Sequence, residues 1–275
     1  WSWSRGLGDV YKRQDKPFGV DILFATIRAE GDAVARYTDQ VQKMIDVVLE
    51  ERVPVLISGL GSPKDAVGPA HDLGIYVMSV VGAGRHAVKA VEDGVDAVIA
   101  TGCDGGGHVG TIGTAALIPA VVDAVDVPVL AGGGLADGRG LVAALAFGAQ
   151  GIWMGTRFIA TEEARAHQNF KDKIGSTDIN GTIVTRAHSG KPCRLIRNNY
   201  TASWEGREDE IMPFPLQGMN HGHPASELGR LQGDVENGVL PTGQSCGLID
   251  DSPAAGEIVR RVAAEAETAL GNLRA

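Results

Sequence analysis

Three short apolar runs in this chain each stop at a cluster of glycines, and that recurrence constrains the fold more than any other feature. Val95 to Ala100 feeds into Thr101-Gly102-Cys103-Asp104-Gly105-Gly106-Gly107-His108-Val109-Gly110, a turn with five glycines and one histidine. Val127 to Ala131 feeds into Gly132-Gly133-Gly134, and Gly151 to Met154 feeds into Gly155-Thr156. Runs this short, bounded by glycine and without polar alternation, fit parallel strands covered on both faces. A helical stretch follows each turn, so the repeating unit is strand, glycine turn, helix.

The same unit appears upstream. Phe18 to Phe24, Val53 to Ser58 and Ile75 to Val80 read as strands, with helices expected over about 30–50, 63–73 and 84–93. Downstream helices are expected over 114–125, 138–147 and 161–173; Asp137 stands at the N-cap position of the second, and Gly148 at its stop. Asp21 interrupts the first run where an apolar residue belongs. Six units are visible, and a complete (β/α)8 barrel has eight. The expectation is an α/β fold, a TIM-type barrel lacking its first two strands, which would precede Phe18. Residues 1–14 read as a foreign or misread segment, and residues 15–173 as the barrel portion. Residues 174–240 are rich in Gly, Pro, Asn and His and lack periodicity, as expected of a cap or substrate domain inserted after the last strand. Residues 241–275 bring the closing helix, with Ile258, Val259, Val262, Ala266 and Leu270 expected on one face.

A net charge of −9 with no basic block argues against nucleic acid and anionic membranes as partners. No apolar run approaches the roughly 20 residues of a membrane helix. Cys103, Cys193 and Cys246 are odd in number and far apart, which excludes a disulfide framework and makes a reducing cytoplasm the default.

In a parallel barrel, ligands sit at the strand C-terminal ends, and phosphate favours the last loops. There the N–H groups of Gly132 to Gly134, Gly155 and the Thr156 hydroxyl can approach an anion, aided by the helix that starts near Asp137. Arg157 or Arg139 could add charge. The plain alternative is that these glycines only make tight turns. An ordered dinucleotide fingerprint after a first strand is absent. His108 is the one histidine at an expected strand end, where a neutral imidazole could take a proton from a substrate carbon or simply bond the loop. His71 and His86 fall on helices and read as surface. His188, His221 and His223 fall in the inserted region without an identifiable fourth ligand, so no metal is expected. Cys103 reads as a small packed residue rather than a nucleophile.

Asp104 to His108, Leu117 to Val125, Pro128 to Gly140 and Gly148 to Phe158 together resemble the nitronate monooxygenase (2-nitropropane dioxygenase-like) family. Phe18 to Asp21, Gly190 to Arg194 and Gly243 to Ile249 extend the resemblance over residues 15–275. It implies an FMN-dependent barrel with a cap, acting on a small-molecule nitronate with O2 to give a carbonyl compound and nitrite. It makes His108 the catalytic base or orienting group. It implies flavin contacts at Asp21, Thr101, Gly106, Gly133, Gly134, Trp153, Met154, Gly155 and Thr156. Thr101 stands where the family often has Gln, and Asp21 where it often has Asn. The family's opening Gln-Gly-Gly-Met-like turn is not in this sequence, so the chain is expected to hold FMN poorly. An NAD(P)H-dependent FMN reductase of quinones or enoyl thioesters shares the barrel and stays open as an alternative. So do an inactive fragment and a homodimer.

Overall fold

A computed structural model describes residues 16–24 and 32–274; the segment 1–14 lies outside the described residues. Six strands form one parallel sheet: β1 Gly19–Phe24, β2 Val55–Gly61, β3 Tyr76–Val81, β4 Ala97–Thr101, β6 Val129–Gly132 and β7 Gly151–Trp153. They pair in chain order, with β4 directly beside β6. Helices follow as expected: α1 Asp32–Glu50, α2 Lys64–Asp72, α3 Gly84–Glu92, α4 Thr114–Val122 and α5 Gly138–Ala146.

The apolar runs are continuous because both sheet faces are covered. Ile22, Leu56, Val77, Val98 and Val129 pack outward against Val48, Val67, Ala87, Leu117 and Ile118. The alternate positions Ile57, Met78, Ala97 and Ile99 gather inward with Val55, Val80, Leu130 and Trp153. Asp21 pairs in register with Ile57, which puts it on this inner face of the edge strand. That position explains a carboxylate in the middle of an apolar run.

The inserted region is more ordered than its composition suggests. Strands β8 Thr182–Thr185 and β9 Cys193–Ile196 form a hairpin, and a two-residue strand, β5 Gly107–His108, joins it. The order of this antiparallel sheet is β5-β9-β8. The histidine turn and the insertion therefore share hydrogen bonds.

Two expected helices shift. The stretch after β7 splits into α6 Thr156–Ile159 and α7 Gln168–Gly175. The turn between them is held by Lys171, whose Nζ donates to Thr161 O at 2.6 Å, and the His167 ring caps α7. Beyond the hairpin come α8 Asn199–Ala202, α9 His223–Arg230 and α10 Ala255–Arg274. In α10, Ile258, Val262 and Ala266 are buried, but Val259 is 58% and Leu270 37% exposed. The buried face is the strict four-residue row that lies on α5; Val259 is one residue out of that row. Gly138 is glycine because the α10 backbone at Ala266 lies against it.

Candidate active site at the strand ends

The turn after β4 is fixed from three sides. Asp104 Oδ2 accepts the Thr114 N–H at 2.7 Å, and its backbone carbonyl accepts the Gln244 N–H at 2.9 Å. Thr114 Oγ1 donates to Gly133 O at 3.0 Å, and the Gly102 N–H donates to Gly132 O at 3.0 Å. A methyl on Gly106 would sit 2.6 Å from Gly243 N. Gly106 is thus glycine because the 242–243 backbone crosses it. Arg194, buried in β9, donates from Nε to Cys103 O at 2.8 Å and from Nη1 to Thr182 Oγ1 at 3.0 Å. The Cys103 thiol has no part in this network.

That rigid turn ends in His108, whose backbone pairs with Cys193. Its Nε2 lies 2.7 Å from Ser189 Oγ, and Ser189 is almost wholly buried. The His188 ring stands 6.1 Å away between centroids, and the Phe214 ring 6.5 Å away, edge-on. His223 continues the row, 6.3 Å beyond His188. Burial, then the positive charges of Lys191 and His223, push the His108 pKa down to about 4. Burial and the neighbouring histidines bring His188 down to about 4 as well. His188 Nδ1 is buried beside the Gly222 backbone without a hydrogen bond of normal geometry. At neutral pH the cluster is uncharged imidazole, able to accept a proton.

His108 opens onto a cavity of about 770 Å³ at the C-terminal ends of β2, β3 and β4. Gly59, Ser79, Thr101, Lys191 and Phe214 line it, with His86 and Lys89 at its far side. Sequence alone placed His86 on the surface; it is exposed, but on the wall of this cavity. Asp21 lies beneath the β2 turn, against Gly59. Although it reaches solvent, the protein around it pushes its carboxyl up to about 6, partly offset by the Gly59 N–H.

The turns after β6 and β7 lie beside the first. Gly133 and Gly134 have φ of +94° and +71°, a backbone only glycine adopts readily. Among the described residues nothing accepts a hydrogen bond from the N–H groups of Gly133, Gly134 or Gly155. Thr156 Oγ1 accepts the Gly243 N–H at 2.9 Å and keeps its own proton to donate. Trp153 and Met154 are half-buried between these turns. This cradle of orphan donors fits the phosphate end of an anionic cofactor.

The charge expected around it is used elsewhere. The first N–H groups of α5 donate to carboxylates: Gly138 to Glu265 at 2.9 Å, Arg139 and Gly140 to Asp137 at 2.9 and 3.2 Å. The positive helix end is already neutralised, which corrects the expectation that it reaches the anion. Arg157 is buried in a pair with Asp251 at 2.8 Å, and Arg139 is exposed and paired with Asp137. Sequence reasoning weighed His188 only as a metal ligand and Lys191 only as part of the Gly190–Arg194 match, and it missed Ser189; the signal that joins them is their adjacency within the short loop of the hairpin. His221 meets Trp204 edge-on, with ring centroids 5.3 Å apart.

Fold and site together define an α/β protein with a six-stranded parallel sheet and a cavity at the strand ends. The family model "Nitronate monooxygenase" matches residues 9–265, and the chain belongs to that family of oxidoreductases. Among its relatives is a 5-hydroxy-7a-methyl-1-oxo-octahydro-1H-indene-4-carboxyl-CoA dehydrogenase of Rhodococcus jostii, 33% identical over 95% of this chain and 82% of the relative. A "Probable nitronate monooxygenase" of Staphylococcus saprophyticus is 35% identical over 65% of this chain, which spans 54% of that relative's length. Among solved structures, FabK from Thermotoga maritima superposes with a TM-score of 0.88 at 33% identity, covering 98% of this chain and 82% of FabK. A nitroalkane oxidase from Streptomyces ansochromogenes gives 0.83 at 27% identity, covering 98% and 87%. Among the described residues no helix is long and apolar enough to cross a membrane.

Proposed function

We propose that the chain is an FMN-dependent nitronate monooxygenase, converting small alkyl nitronates and O2 into carbonyl compounds and nitrite. The oxygen atoms balance when two nitronates consume one O2 and yield two carbonyl compounds and two nitrites. The observation that carries the reading is His108: an imidazole held by Ser189 in the wall of a large cavity, beside a cradle of free N–H groups. Gly133, Gly134, Gly155 and Thr156 would hold the FMN phosphate, with Thr101, Trp153, Met154 and, by resemblance, Asp21 and Gly106 around the rest. Bound there, FMN supplies the electron acceptor. The chain's own part is to orient the nitronate and to exclude water. Where the neutral nitroalkane is the form bound, His108 Nε2 or Nδ1 accepts its α-proton.

The test is nitrite release from propyl-2-nitronate by FMN-loaded protein in air, with and without NADH. Nitrite formation that needs no NADH is expected. Rapid anaerobic bleaching of the flavin by NADH or NADPH, with no nitrite, would overturn it. That outcome would favour a nicotinamide-dependent reductase of quinones or enoyl thioesters, a second reading supported by the likeness to a CoA-thioester dehydrogenase.

A further inference from the structure

We propose that Lys191 is the anion-recognition point of this cavity, so that the molecule it admits beside His108 carries a compact negative charge, a planar carboxylate or nitronate. The proposal rests on the reading of the cavity as the substrate chamber. It starts from an imbalance. The chain has nine more acidic than basic side chains, yet the groups found beside Lys191 are the Phe214 ring and, close enough to feel its charge, His108, neither of them acidic. Among the described residues no carboxylate lies within ion-pair distance of Lys191. The acid on the far side of the cavity, Asp93, is already engaged by Lys89 and Ser62.

An ammonium drawn partly out of water without a counter-charge is unfavourable, and burial does lower the Lys191 pKa. The contact at 4.5 Å with the Phe214 ring offsets part of that cost and fixes the Nζ position. The loop adds a second constraint, since the Lys191 N–H donates to Ser189 Oγ at 3.3 Å, the oxygen that also holds His108. One serine therefore holds both the imidazole of His108 and the backbone from which the Lys191 side chain departs. An anion between them would regain the missing counter-charge, while a neutral molecule of the same shape would not.

Isobutyrate and isobutyramide separate these cases, because they share a shape and differ in charge, and isobutyrate is an unreactive likeness of propyl-2-nitronate. Calorimetric titration of each into the FMN-supplemented protein is expected to show isobutyrate bound about tenfold or more tightly than isobutyramide. The preference should shrink as salt rises. Lys191→Met should abolish it and Lys191→Arg retain it, with thermal melting confirming that both variants fold. Equal binding of the two probes by the unaltered protein overturns the proposal without any variant, as does a preference that survives in Lys191→Met. If the preference holds but propyl-2-nitronate releases no nitrite, the proposed reaction falls and the anion site stands.

Discussion

In the turn after β4, a methyl added to Gly105 would lie 3.0 Å from Thr101 Cγ2, and one added to Gly106 would lie 2.6 Å from Gly243 N. In the turn after β7, a methyl on Gly155 would meet nothing within 4 Å. The two turns read alike in sequence and are glycine-rich for opposite reasons. The first is glycine because protein fills the space, and the result is a rigid mount for His108. The second leaves its space and its N–H groups free, as a ligand-holding turn must. A glycine cluster therefore reports close approach without saying whether the approaching body is the chain itself or something it binds.

The largest expected effect lies on the rigid side. His108→Ala should lower nitrite release roughly 10²-fold or more, measured with FMN saturating, because His188 stands 6.1 Å away between ring centroids and His86 lines only the far side of the cavity. An unchanged rate would reduce the mount to scaffolding. Next comes the contrast itself. Gly106→Ala should cost about 1–3 kcal/mol in chemical denaturation, since backbone rather than a flexible side chain stands in its way. Gly155→Ala should stay within about 0.5 kcal/mol of the parent and instead weaken FMN binding. If FMN titrates equally into Gly155→Ala, the turn after β7 does not hold the phosphate.

Acid should expose the histidine cluster. His108 and His188 titrate near 4 when folded and near 6.5 when unfolded, so the unfolded chain takes up protons first. Stability is complete above about pH 6.5, declines as pH falls toward 4 and levels off below, a loss of at most roughly 3 kcal/mol for each histidine. Denaturation midpoints that stay flat from pH 7 to 4.5 would show the cluster to be solvated. The smallest effect is at the edge strand. The Asp21 carboxyl is raised to about 6, so its ionised form is disfavoured at neutral pH. Asp21→Asn should stabilise at pH 7 by less than about 1 kcal/mol, given its access to solvent, and by nothing at pH 3.5.

Six parallel strands, five helices and the Asp137 cap were legible because burial on both faces writes itself as unbroken apolar runs. His108 was legible because a histidine at a strand end is rare. Its surroundings were not. The β9 strand, Cys-Arg-Leu-Ile, is buried at all four positions and shows no alternation, and β5 is two residues long. Lys191 and Phe214 are distant in sequence and meet only through the tertiary fold. The carboxylates at the α5 end illustrate the converse: Asp137 could be foreseen, but Glu265 arrives from a helix more than a hundred residues away.

The pairing of His108 with Cys193 ties the chemistry to the machinery of access. A protein that widened its cavity by swinging the β8–β9 hairpin outward would pull on the same two-residue strand that carries the imidazole. The hairpin and the backbone that carries the imidazole share their hydrogen bonds, so neither can be displaced without disturbing the other. Amide exchange at Val109, whose N–H donates to Pro192 O, would report the loosening of that shared seam.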